Sequence, residues 1–541
     1  MSVGELIGKT LAGLGVGHAF GLVGSGNFVV TNALRAAGVP FVATRHECGA
    51  AVMADAYART SGQPAVLTLH QGCGLTNAMT GITEAAKSRT PLLVLAADTP
   101  GAAVTSNFRI DQDALVAAVG AVPERVHSPA TAPTDVERAY RTAVHQRRTV
   151  VLNLPLDVQA APAPEQPSRP PVPAPLPARP HPEAVTALAA ALRAARRPVF
   201  VAGRGARHAA AELRELAEAS GALLATSAVA NGLFTGDPWS LGISGGFATP
   251  LAAELVAAAD LVVAWGCSLT HWTTRHGRLV ADDAVVAQVD LEVSALGARQ
   301  RVDLGVVGDV RLTARDVLAE LGSTAGTGYR TEEVRARIAE RGRWRDVPFT
   351  DASTADRIDP RTLSVRLDDL LPAERVLAVD SGNFMGYPSA YLQVPDASGF
   401  CFTQSFQSVG LGLATAAGAA LARPDRLPVA ALGDGGAMMG VAELDTVARL
   451  RLPMVAVVYD DDAYGAEVHH FAGQDLGAVR YPDTDVAAVA TGFGWVAHTV
   501  RTVSDLDVVT AWLAGPRDRP LLLDAKITDD GGSWWLAEAF R

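Results

Sequence analysis

Two short acidic motifs follow apolar runs in the last third of the chain. GDGG at 433–436 comes after LPVAAL, and DDD at 460–462 comes after VAVVY. Glycine lets the backbone approach a ligand closely, and the first turn of a following helix presents free N–H groups to an anion. Asp434 carries the wrong charge for a phosphate, so a cation is needed between them. A hard divalent ion such as Mg²⁺ takes oxygen ligands and accepts a diphosphate as its partner.

The spacing of the two motifs favours a shared site. There are 24 residues between Gly435 and Asp460, which is room for one helix and one strand. Because ligands bind at the carboxyl ends of parallel strands, we expect a second source of oxygen ligands at the end of the neighbouring strand. GDGG alone also suits an ordinary turn between a strand and a helix. The acidic run at this spacing, followed by Tyr464 and Gly465, favours metal binding.

The chain divides into three blocks of comparable length. Its 541 residues are too many for a single core. Residues 161–182 contain ten prolines and are typical of an extended linker. A second polar seam includes TEEVRARIAERGRW, which predicts a connecting helix. We therefore predict an N-terminal domain at 1–160, a linker at 161–182, a central domain at 183–322, a linker helix within 323–358 and a C-terminal domain at 359–541.

Each block alternates apolar runs with helical segments. Runs that are apolar on both faces are typical of parallel strands buried between helices. The predicted strands are HAFGLV, PFVAT, AVLTLH, PLLVLAA and TVVLNLP in the first block, PVFVAG, LVVAWG and VVAQVD in the second, and RVLAVDSG, LPVAALGD, LPMVAVVYD and PLLLDAK in the third. Helices are predicted at 48–60 and 440–451. The expected fold class is α/β with three doubly wound parallel-sheet domains.

The composition argues against several classes of function. A net charge of −11 offers no basic surface for nucleic acid or for an anionic membrane, and no apolar segment is long enough to cross a bilayer. The N-terminus lacks the layout of a secretory signal. The four cysteines stand apart without a CxxC pair, which suits free thiols in a reducing compartment. We therefore expect a cytoplasmic protein that binds neither nucleic acid nor membrane.

Further motifs run along the whole chain, and with GDGG and DDDAYG they resemble those of thiamine-diphosphate (ThDP) enzymes. They are FGLVGSGNF at 20–28, VATRHECGAAVMADAYART at 42–60, LHQGCGLTNAMTGITEAAKSRTPLLVLAAD at 69–98, VDSGNF at 379–384 and FQSVGLGLATAAGAAL at 406–421. The family is the group of acetolactate synthases, benzoylformate decarboxylases and pyruvate decarboxylases. The resemblance implies a pyrimidine-binding first domain, a central domain, and a third domain that binds diphosphate and metal.

The resemblance also implies ThDP and Mg²⁺ as cofactors and a role for each matching residue. Glu47 would bind a ring nitrogen of the cofactor's pyrimidine and activate the cofactor. Val409 would hold the cofactor in its bent form, although relatives usually carry a larger residue there. The remaining cofactor-binding residues would be Gly382, Asn383, Gln407, Gly433, Gly435, Gly436, Tyr464 and Gly465.

The acidic run departs from the family pattern. Relatives commonly carry asparagine at 460 and 461, so this chain places a second carboxylate beside Asp434. By resemblance, Asp434, Asp461 and the backbone carbonyl of Ala463 would ligate the metal. Asp460 would turn away to brace the neighbouring loop, and Asp462 would meet solvent or a donor on the cofactor.

The residues on the substrate side match more than one subfamily. Ser25 and His70 match the substrate-binding serine and the catalytic histidine of benzoylformate decarboxylases, although a structural histidine at a strand end would look the same as His70. Glu467 falls where pyruvate decarboxylases carry a proton-relay glutamate. Gln112 resembles a glutamine that acetolactate synthases and oxidases place near the cofactor, with Asp111 in place of their preceding phenylalanine.

The central block carries weaker signals. Gly203 and Gly205 begin a dinucleotide-binding pattern after a predicted strand, but His208 replaces its third glycine, so we do not expect FAD. His271 and His276 suit either an approach to the active site or a surface loop.

The resemblance implies an enzyme that decarboxylates a 2-oxo acid. The remaining fragment would then be protonated or joined to an aldehyde or a second 2-oxo acid. His70 and Glu467 favour a benzoylformate decarboxylase-like reaction. The alternatives are an acetolactate synthase-like carboligase, a flavin-dependent oxidase and a catalytically silent ThDP-fold binding subunit. Because the activating glutamate and the metal motif lie in different blocks, the resemblance implies a homodimer or homotetramer with active sites at the subunit interface.

Overall fold

The computed structural model describes residues 1–165, 174–322, 328–529 and 533–539. Within these ranges, eighteen strands form three six-stranded sheets, and the strands of each sheet are parallel. Helices alternate with the strands along the chain. The predicted fold class, α/β with three doubly wound parallel sheets, is confirmed.

The first sheet is built from the N-terminal part of the chain. Its strands are β1 (His18–Gly21), β2 (Phe41–Ala43), β3 (Ala65–Leu69), β4 (Leu92–Asp98), β5 (Val122–Arg125) and β6 (Thr149–Pro155). Its helices are α1 (Val3–Gly13), α2 (Phe28–Ala36), α3 (Glu47–Ser61), α4 (Cys73–Lys87), α5 (Gln112–Ala118), α6 (Ala132–His145) and α7 (Leu156–Ala160). The strand order is β2-β1-β3-β4-β6-β5. Strands β3, β4 and β6 are buried along their whole length, because helices cover both faces.

The central sheet has a different strand order. Its strands are β7 (Pro198–Ala202), β8 (Leu223–Thr226), β9 (Ser240–Ile243), β10 (Leu261–Trp265), β11 (Val285–Asp290) and β12 (Leu304–Val307). Its helices are α8 (Pro182–Ala194), α9 (Ala210–Ser220), α10 (Pro250–Ala257), α11 (His271–Thr274) and α12 (Val310–Leu321). The order β12-β11-β10-β7-β8-β9 reverses direction between β7 and β10, as in dinucleotide-binding folds. The predicted connecting helix follows as α13 (Glu332–Arg341).

The third sheet repeats the strand order of the first. Its strands are β13 (Arg375–Val379), β14 (Phe400–Phe402), β15 (Leu427–Gly433), β16 (Val455–Asp460), β17 (Val496–Val500) and β18 (Leu521–Lys526). Its helices are α14 (Pro360–Leu370), α15 (Gly386–Tyr391), α16 (Gly412–Ala422), α17 (Asp434–Met439), α18 (Glu443–Arg449), α19 (Gly465–His470), α20 (Val486–Gly492), α21 (Asp507–Ala514) and α22 (Trp534–Ala539). In the order β14-β13-β15-β16-β18-β17, strands β13, β15 and β16 are neighbours.

The first and third sheets are joined by direct packing of α3 on α16. A Cβ atom at Gly418 would lie only 2.2 Å from the backbone oxygen of Met53, so the two backbones touch where no side chain fits. Most of the buried alanines of both helices, among them Ala51 and Ala54 of α3 and Ala416 and Ala417 of α16, belong to one continuous core. Within the described ranges, no helix combines the length and apolar character that a bilayer crossing requires.

Candidate active site

The ends of β13, β15 and β16 bring the C-terminal motifs together. These neighbouring strands run parallel, so the segments that follow them lie at one edge of the sheet. They line a single cavity of about 1580 Å³. Among its lining residues are Gly382, Asn383, Gln407, Val409, Gly433, Asp434, Gly435, Gly436, Asp461, Ala463, Tyr464, Gly465 and Glu467. The structure therefore collects the whole C-terminal set of predicted site residues in one place.

Glycine is required at several points of this cavity. A Cβ atom at Gly435 would lie 2.5 Å from the Tyr464 ring. One at Gly465 would lie 2.3 Å from a carboxylate oxygen of Asp461. Gly382 has a φ of +142°, a conformation that side chains oppose. The cavity wall is therefore bare backbone, which a bulky anion can approach closely.

Asp434 and Asp461 are two carboxylates without a counter-charge. Burial, reinforced by repulsion from Asp461 and Asp460, raises the pKa of Asp434 to about 8. Burial, reinforced by repulsion from Asp460, raises the pKa of Asp461 to about 7. Among the described residues, no cationic side chain forms an ion pair with Asp434 or Asp461. Such a pair favours a bound cation, which would restore the ionised form of both groups.

The other two aspartates of the run, Asp460 and Asp462, are each paired with a cationic side chain. The Lys526 ammonium donates to Asp460 Oδ2 and to Asp483 Oδ1, at 2.6 Å in each case. Asp460 also accepts from the N–H of Asp462 at 3.0 Å, so it braces this turn as predicted. Asp462, which we expected to meet solvent or a donor on the cofactor, is instead paired with Arg357.

These pairings decide between two possible metal sites. Carboxylate oxygens of Asp460, Asp462 and Asp483 lie within 4.8 Å of one another, as metal ligands would. The ammonium of Lys526 already supplies the positive charge at Asp460 and Asp483. The Asp434 and Asp461 pair remains the better metal-binding candidate.

Two acidic residues that the sequence analysis missed hold the loop around Val409. Buried Asp380 accepts from the N–H groups of Gly410 and Leu411, at 3.1 Å in each case. Glu84 of α4 accepts from the N–H groups of Ser405 at 3.2 Å and of Phe406 at 2.6 Å. Both lie inside motifs at 379–384 and 69–98, but the motifs alone did not reveal these roles, because Asp380 and Glu84 bind backbone that is distant in sequence.

Val409 itself lies against the glycine-rich turn. Its Cγ1 atom is 3.3 Å from the position that a Cβ atom would take at Gly436. Gln407, two residues earlier, has a φ of +62°. The loop therefore presents the Val409 side chain to the backbone on which a diphosphate would lie.

A second group of predicted site residues lies at the carboxyl ends of β1 and β3. Glu47 begins α3, is almost fully buried, and accepts from Asn77 Nδ2 at 3.1 Å. A Cβ atom at Gly74 would lie 3.2 Å from His70 Cβ and 3.7 Å from Glu47 Oε1, so both side chains border the same glycine. Gly26 donates its N–H to His70 Nδ1 at 3.1 Å. The exposed Ser25 precedes Gly26, so the structure brings Ser25, Glu47 and His70 together.

Gln112 takes part in this region through the backbone. Its side-chain oxygen accepts from the N–H of Gly72 at 2.9 Å. Its side-chain nitrogen donates to the Ala97 carbonyl at 3.2 Å and to Asn153 Oδ1 at 2.7 Å. The amide is buried, and its bonds stabilise the turn that carries His70.

The two groups are separate within one chain. None of Ser25, Glu47, His70 and Gln112 is among the described residues that line the C-terminal cavity. Exposed apolar side chains accompany each group. They are Val23, Phe28, Val29, Phe108 and Ile110 near the first, and Phe406, Met438, Met439 and Phe471 near the second.

Comparison with known proteins assigns all three sheets to one family. Family models described as the N-terminal TPP binding domain, the central domain and the C-terminal TPP binding domain of thiamine pyrophosphate enzymes match residues 1–115, 185–321 and 380–525. A probable 2-ketoarginine decarboxylase of Pseudomonas aeruginosa is 30% identical over 94% of this chain and 90% of its own length. The chain belongs to the thiamine pyrophosphate enzymes.

Relatives within this family carry different activities. Sulfoacetaldehyde acetyltransferase of Rhodobacter capsulatus is 28% identical over 94% of this chain and 90% of its own length. Pyruvate oxidase of Lactiplantibacillus plantarum is 26% identical over 97% of this chain and 89% of its own length. The identities are too similar to favour decarboxylase, transferase or oxidase chemistry.

The C-terminal cavity fits the cofactor of the thiamine pyrophosphate enzymes. A diphosphate requires open backbone, which the glycines at 433–436 and Gly465 provide. A divalent ion requires oxygen ligands, which Asp434 and Asp461 provide. In the described part of the chain, no backbone group donates to the carbonyl oxygen of Ala463, so this oxygen can serve as a further ligand.

The central domain of this thiamine pyrophosphate enzyme contributes to the same cavity. His271 and His276 both line it, with ring centroids 5.3 Å apart and nearly parallel planes. The glycines of the incomplete dinucleotide pattern have a packing role. A Cβ atom at Gly203 would lie 2.2 Å from the backbone oxygen of Gly266, and one at Gly205 would lie 2.9 Å from Gly266 Cα. These glycines let two adjacent turns touch.

Proposed function

We propose that this protein is a ThDP- and Mg²⁺-dependent enzyme that decarboxylates a 2-oxo acid. The fragment that remains is then protonated or joined to an aldehyde or a second 2-oxo acid, as in benzoylformate decarboxylase-like enzymes. The observation that carries this proposal is the uncompensated pair Asp434 and Asp461 beside a glycine-rich backbone. When bound, ThDP supplies the carbon nucleophile and accepts the electrons that decarboxylation releases.

The C-terminal residues bind the polar end of the cofactor in this proposal. Asp434, Asp461 and the carbonyl of Ala463 ligate Mg²⁺. Gly382 and Asn383 contact the diphosphate, together with Gln407, Gly433, Gly435, Gly436, Tyr464 and Gly465. Val409 supports the bend between the two rings. A divalent cation between Asp434 and Asp461 would attract both carboxylates and so offset the repulsion between them.

Glu47 binds the pyrimidine ring in this proposal. Its carboxyl is shielded from water and touches a neutral partner, Asn77, rather than a cation. A carboxyl in such a place can form a hydrogen bond with a ring nitrogen of the pyrimidine, because it forms no ion pair with any of the described residues.

His70, Ser25 and Glu467 act on the substrate in this proposal. Because the N–H of Gly26 donates to His70 Nδ1, the neutral histidine carries its proton on Nε2. That proton is available to a carboxylate or carbonyl oxygen of a 2-oxo acid. Ser25 is exposed beside it and offers a hydroxyl, while Glu467 lines the opposite cavity and accepts or returns a proton.

The active site is shared between two subunits in this proposal. Glu47 and the metal motif belong to separate groups in one chain, and exposed apolar residues accompany both groups. Exposed apolar patches of this kind mark surfaces that another protein covers. A homodimer or homotetramer that brings the Glu47 group of one subunit to the cavity of its partner, with the cofactor between Glu47 and Asp434, would complete the site and bury these patches.

Three other functions make different experimental predictions. An acetolactate synthase-like carboligase would join the fragment left after decarboxylation of one 2-oxo acid to a second, intact 2-oxo acid and release one CO₂ per product. A flavin-dependent oxidase would be purified as a yellow protein, whereas a colourless protein argues against it. A catalytically silent binding subunit would bind ThDP and release no CO₂ from any 2-oxo acid.

The test is a panel of aliphatic, aromatic and basic 2-oxo acids with ThDP and Mg²⁺, followed for CO₂ and for organic products. The basic members are included because a relative is named as a probable 2-ketoarginine decarboxylase. We expect CO₂ with an aldehyde or a carboligation product from at least one member. Glu47→Gln should lower this turnover by at least about a hundredfold while retaining ThDP binding. Full turnover by Glu47→Gln would overturn the proposed mechanism.

A further inference from the structure

The C-terminal segment returns to the diphosphate end of the candidate site. Ser533 and Trp535 are almost completely buried, although they lie within nine residues of the chain end. The Trp535 indole donates to the Asn383 carbonyl at 3.0 Å. The Ser533 hydroxyl donates to the same carbonyl at 3.2 Å, and it also contacts the side-chain oxygen of Asn383.

The contact with Ser533 decides which way the Asn383 amide faces. Its Oδ1 atom is directed at Ser533, so its Nδ2 atom is directed away from Ser533. Nδ2 lies 3.4 Å from His469 Nε2 and 3.1 Å from the position of a Cβ atom at Gly465. Gly465 lines the cavity, so the amide presents its N–H donors on the cavity side. An anion binds N–H donors and is repelled by an amide oxygen.

The two adjacent tryptophans have different contacts. Trp535 packs on Gly386, where a Cβ atom would lie 2.3 Å from its ring, and perpendicular to Tyr387 at 4.8 Å between centroids. Trp534 packs on Trp344 at 4.2 Å between ring centroids, with the planes tilted by 31°, and its indole N–H has no hydrogen-bond partner among the described residues. Of these two tryptophans, only Trp535 has a hydrogen bond to Asn383 in the described part of the chain.

We propose that Ser533 and Trp535 are positioning residues that fix the Asn383 loop and direct the Asn383 side-chain N–H groups at the diphosphate of the cofactor. This inference rests on the proposed function, which assigns the diphosphate to this loop. Ser533 orients the amide, and Trp535 holds the backbone from which the amide extends.

The experiment measures the dissociation constant of ThDP with saturating Mg²⁺ by isothermal titration calorimetry on the full-length protein. Ser533→Ala and Trp535→Phe should each weaken ThDP binding by about tenfold, because each removes a hydrogen bond to Asn383. Trp534→Phe is the matched control, since it removes an indole N–H that has no partner among the described residues, and the ThDP affinity of this variant should stay within about twofold of wild type. Ser533→Ala keeps the test valid if Trp535→Phe does not fold.

Asn383→Ala separates this inference from the proposed function. If Asn383→Ala binds ThDP as tightly as wild type, the loop is not a diphosphate site. That result would overturn the positioning role and also the assignment of the diphosphate to this loop in the proposed function. If Asn383→Ala is weak but Ser533→Ala binds normally, only the positioning role is overturned. Equal losses of ThDP affinity in Trp534→Phe and Trp535→Phe would also overturn the positioning role, because the packing of either ring would then explain the loss. In the Asn383→Ala background, Ser533→Ala should cause no further loss.

Discussion

Three consecutive aspartates with identical side chains have different environments, and their partners decide the difference. Lys526 binds Asp460 and Arg357 binds Asp462, while Asp461 has no cation among the described residues and lies at the cavity. Burial without a counter-charge is unfavourable for a carboxylate, whereas burial against an ammonium is tolerated. Two of the three carboxylates thus have a cationic partner within the chain, and Asp461 is the one available for the proposed metal.

These different environments predict opposite effects of two isosteric substitutions on metal affinity and on stability. Asp461→Asn should weaken Mn²⁺ or Mg²⁺ binding by about tenfold, because one charged ligand is lost, and it should leave the stability of the metal-free protein unchanged or higher. Asp460→Asn should keep metal affinity within about threefold but lower the free energy of unfolding by about 2 kcal/mol, because a hydrogen bond to the charged Lys526 is lost. Calorimetric metal titration and urea unfolding measure the two effects. A metal requirement unchanged in Asp461→Asn would refute the ligand assignment.

Helix α4 connects the two groups of site residues within one chain. Near its start, Asn77 donates to Glu47, and near its end, Glu84 holds the backbone that precedes Gln407. Glu84 is also paired with Arg59 of α3 at 2.7 Å, and both side chains are buried. The helix is therefore fixed near its start to Glu47 and near its end to the loop that precedes Gln407.

Glu84→Gln tests the stability of this connection. The substitution leaves the buried Arg59 with one carboxylate instead of two, and we expect the free energy of unfolding to fall by about 3 kcal/mol at pH 7. Burial alone would raise the pKa of Glu84, but Arg59 and the backbone N–H groups outweigh it and lower that pKa below 4.5. The difference in the free energy of unfolding between Glu84→Gln and wild type should therefore have its full value above pH 4.5. It should shrink as the pH falls through the lowered pKa. Urea unfolding at several pH values measures it.

Glu124→Gln provides the surface control for this measurement. Glu124 pairs with Arg138, whose side chain is 44% exposed. The free energy of unfolding of Glu124→Gln should therefore fall by less than about 1 kcal/mol. If Glu124→Gln and Glu84→Gln lower the free energy of unfolding equally, the buried network stabilises the protein no more than an ordinary surface ion pair does.

At the scale of the whole molecule, two sheets of equal strand order are joined through α3 and α16, and a central sheet of different order is inserted between them in sequence. Each end sheet carries one group of site residues at the carboxyl ends of its strands. Because neither group borders the other in a single chain, a complete site requires a second copy in the proposed function.

Mixing two inactive variants tests the shared site. Glu47→Gln and Asp434→Asn damage different groups, so a mixed dimer would contain one site with both changes and one intact site. After random reassociation, about half of the dimers are mixed, and about a quarter of wild-type turnover should return. Each variant alone, taken through the same dissociation and reassociation, is the control. If mixing restores nothing although the subunits exchange, the site lies within one chain.

Sequence reasoning found all but one of the inner strands and missed five of the six edge strands, β2 being the edge strand that it found. Twelve predicted runs correspond to strands of the structure, and central ones such as β3, β4 and β15 are buried throughout or nearly so. The strands β5, β9, β12, β14 and β17 were missed, and all five lie at sheet edges. Edge strands have one unpaired side and weaker burial, so their sequences lack a continuous apolar run. The inner strand β8 was also missed.

The sequence by itself determined the family, the fold class and the residues that carry the proposed chemistry. This was possible because those residues stand in contiguous motifs directly after buried strands, where parallel sheets hold their ligands. The tertiary structure decided which partners those residues have. Lys526 meets Asp460 across 66 positions, Arg357 meets Asp462 across 105, and Ser533 meets Asn383 across 150. Such pairs leave no local pattern, because electrostatic and hydrogen-bond contacts depend on distance in space rather than on distance along the chain.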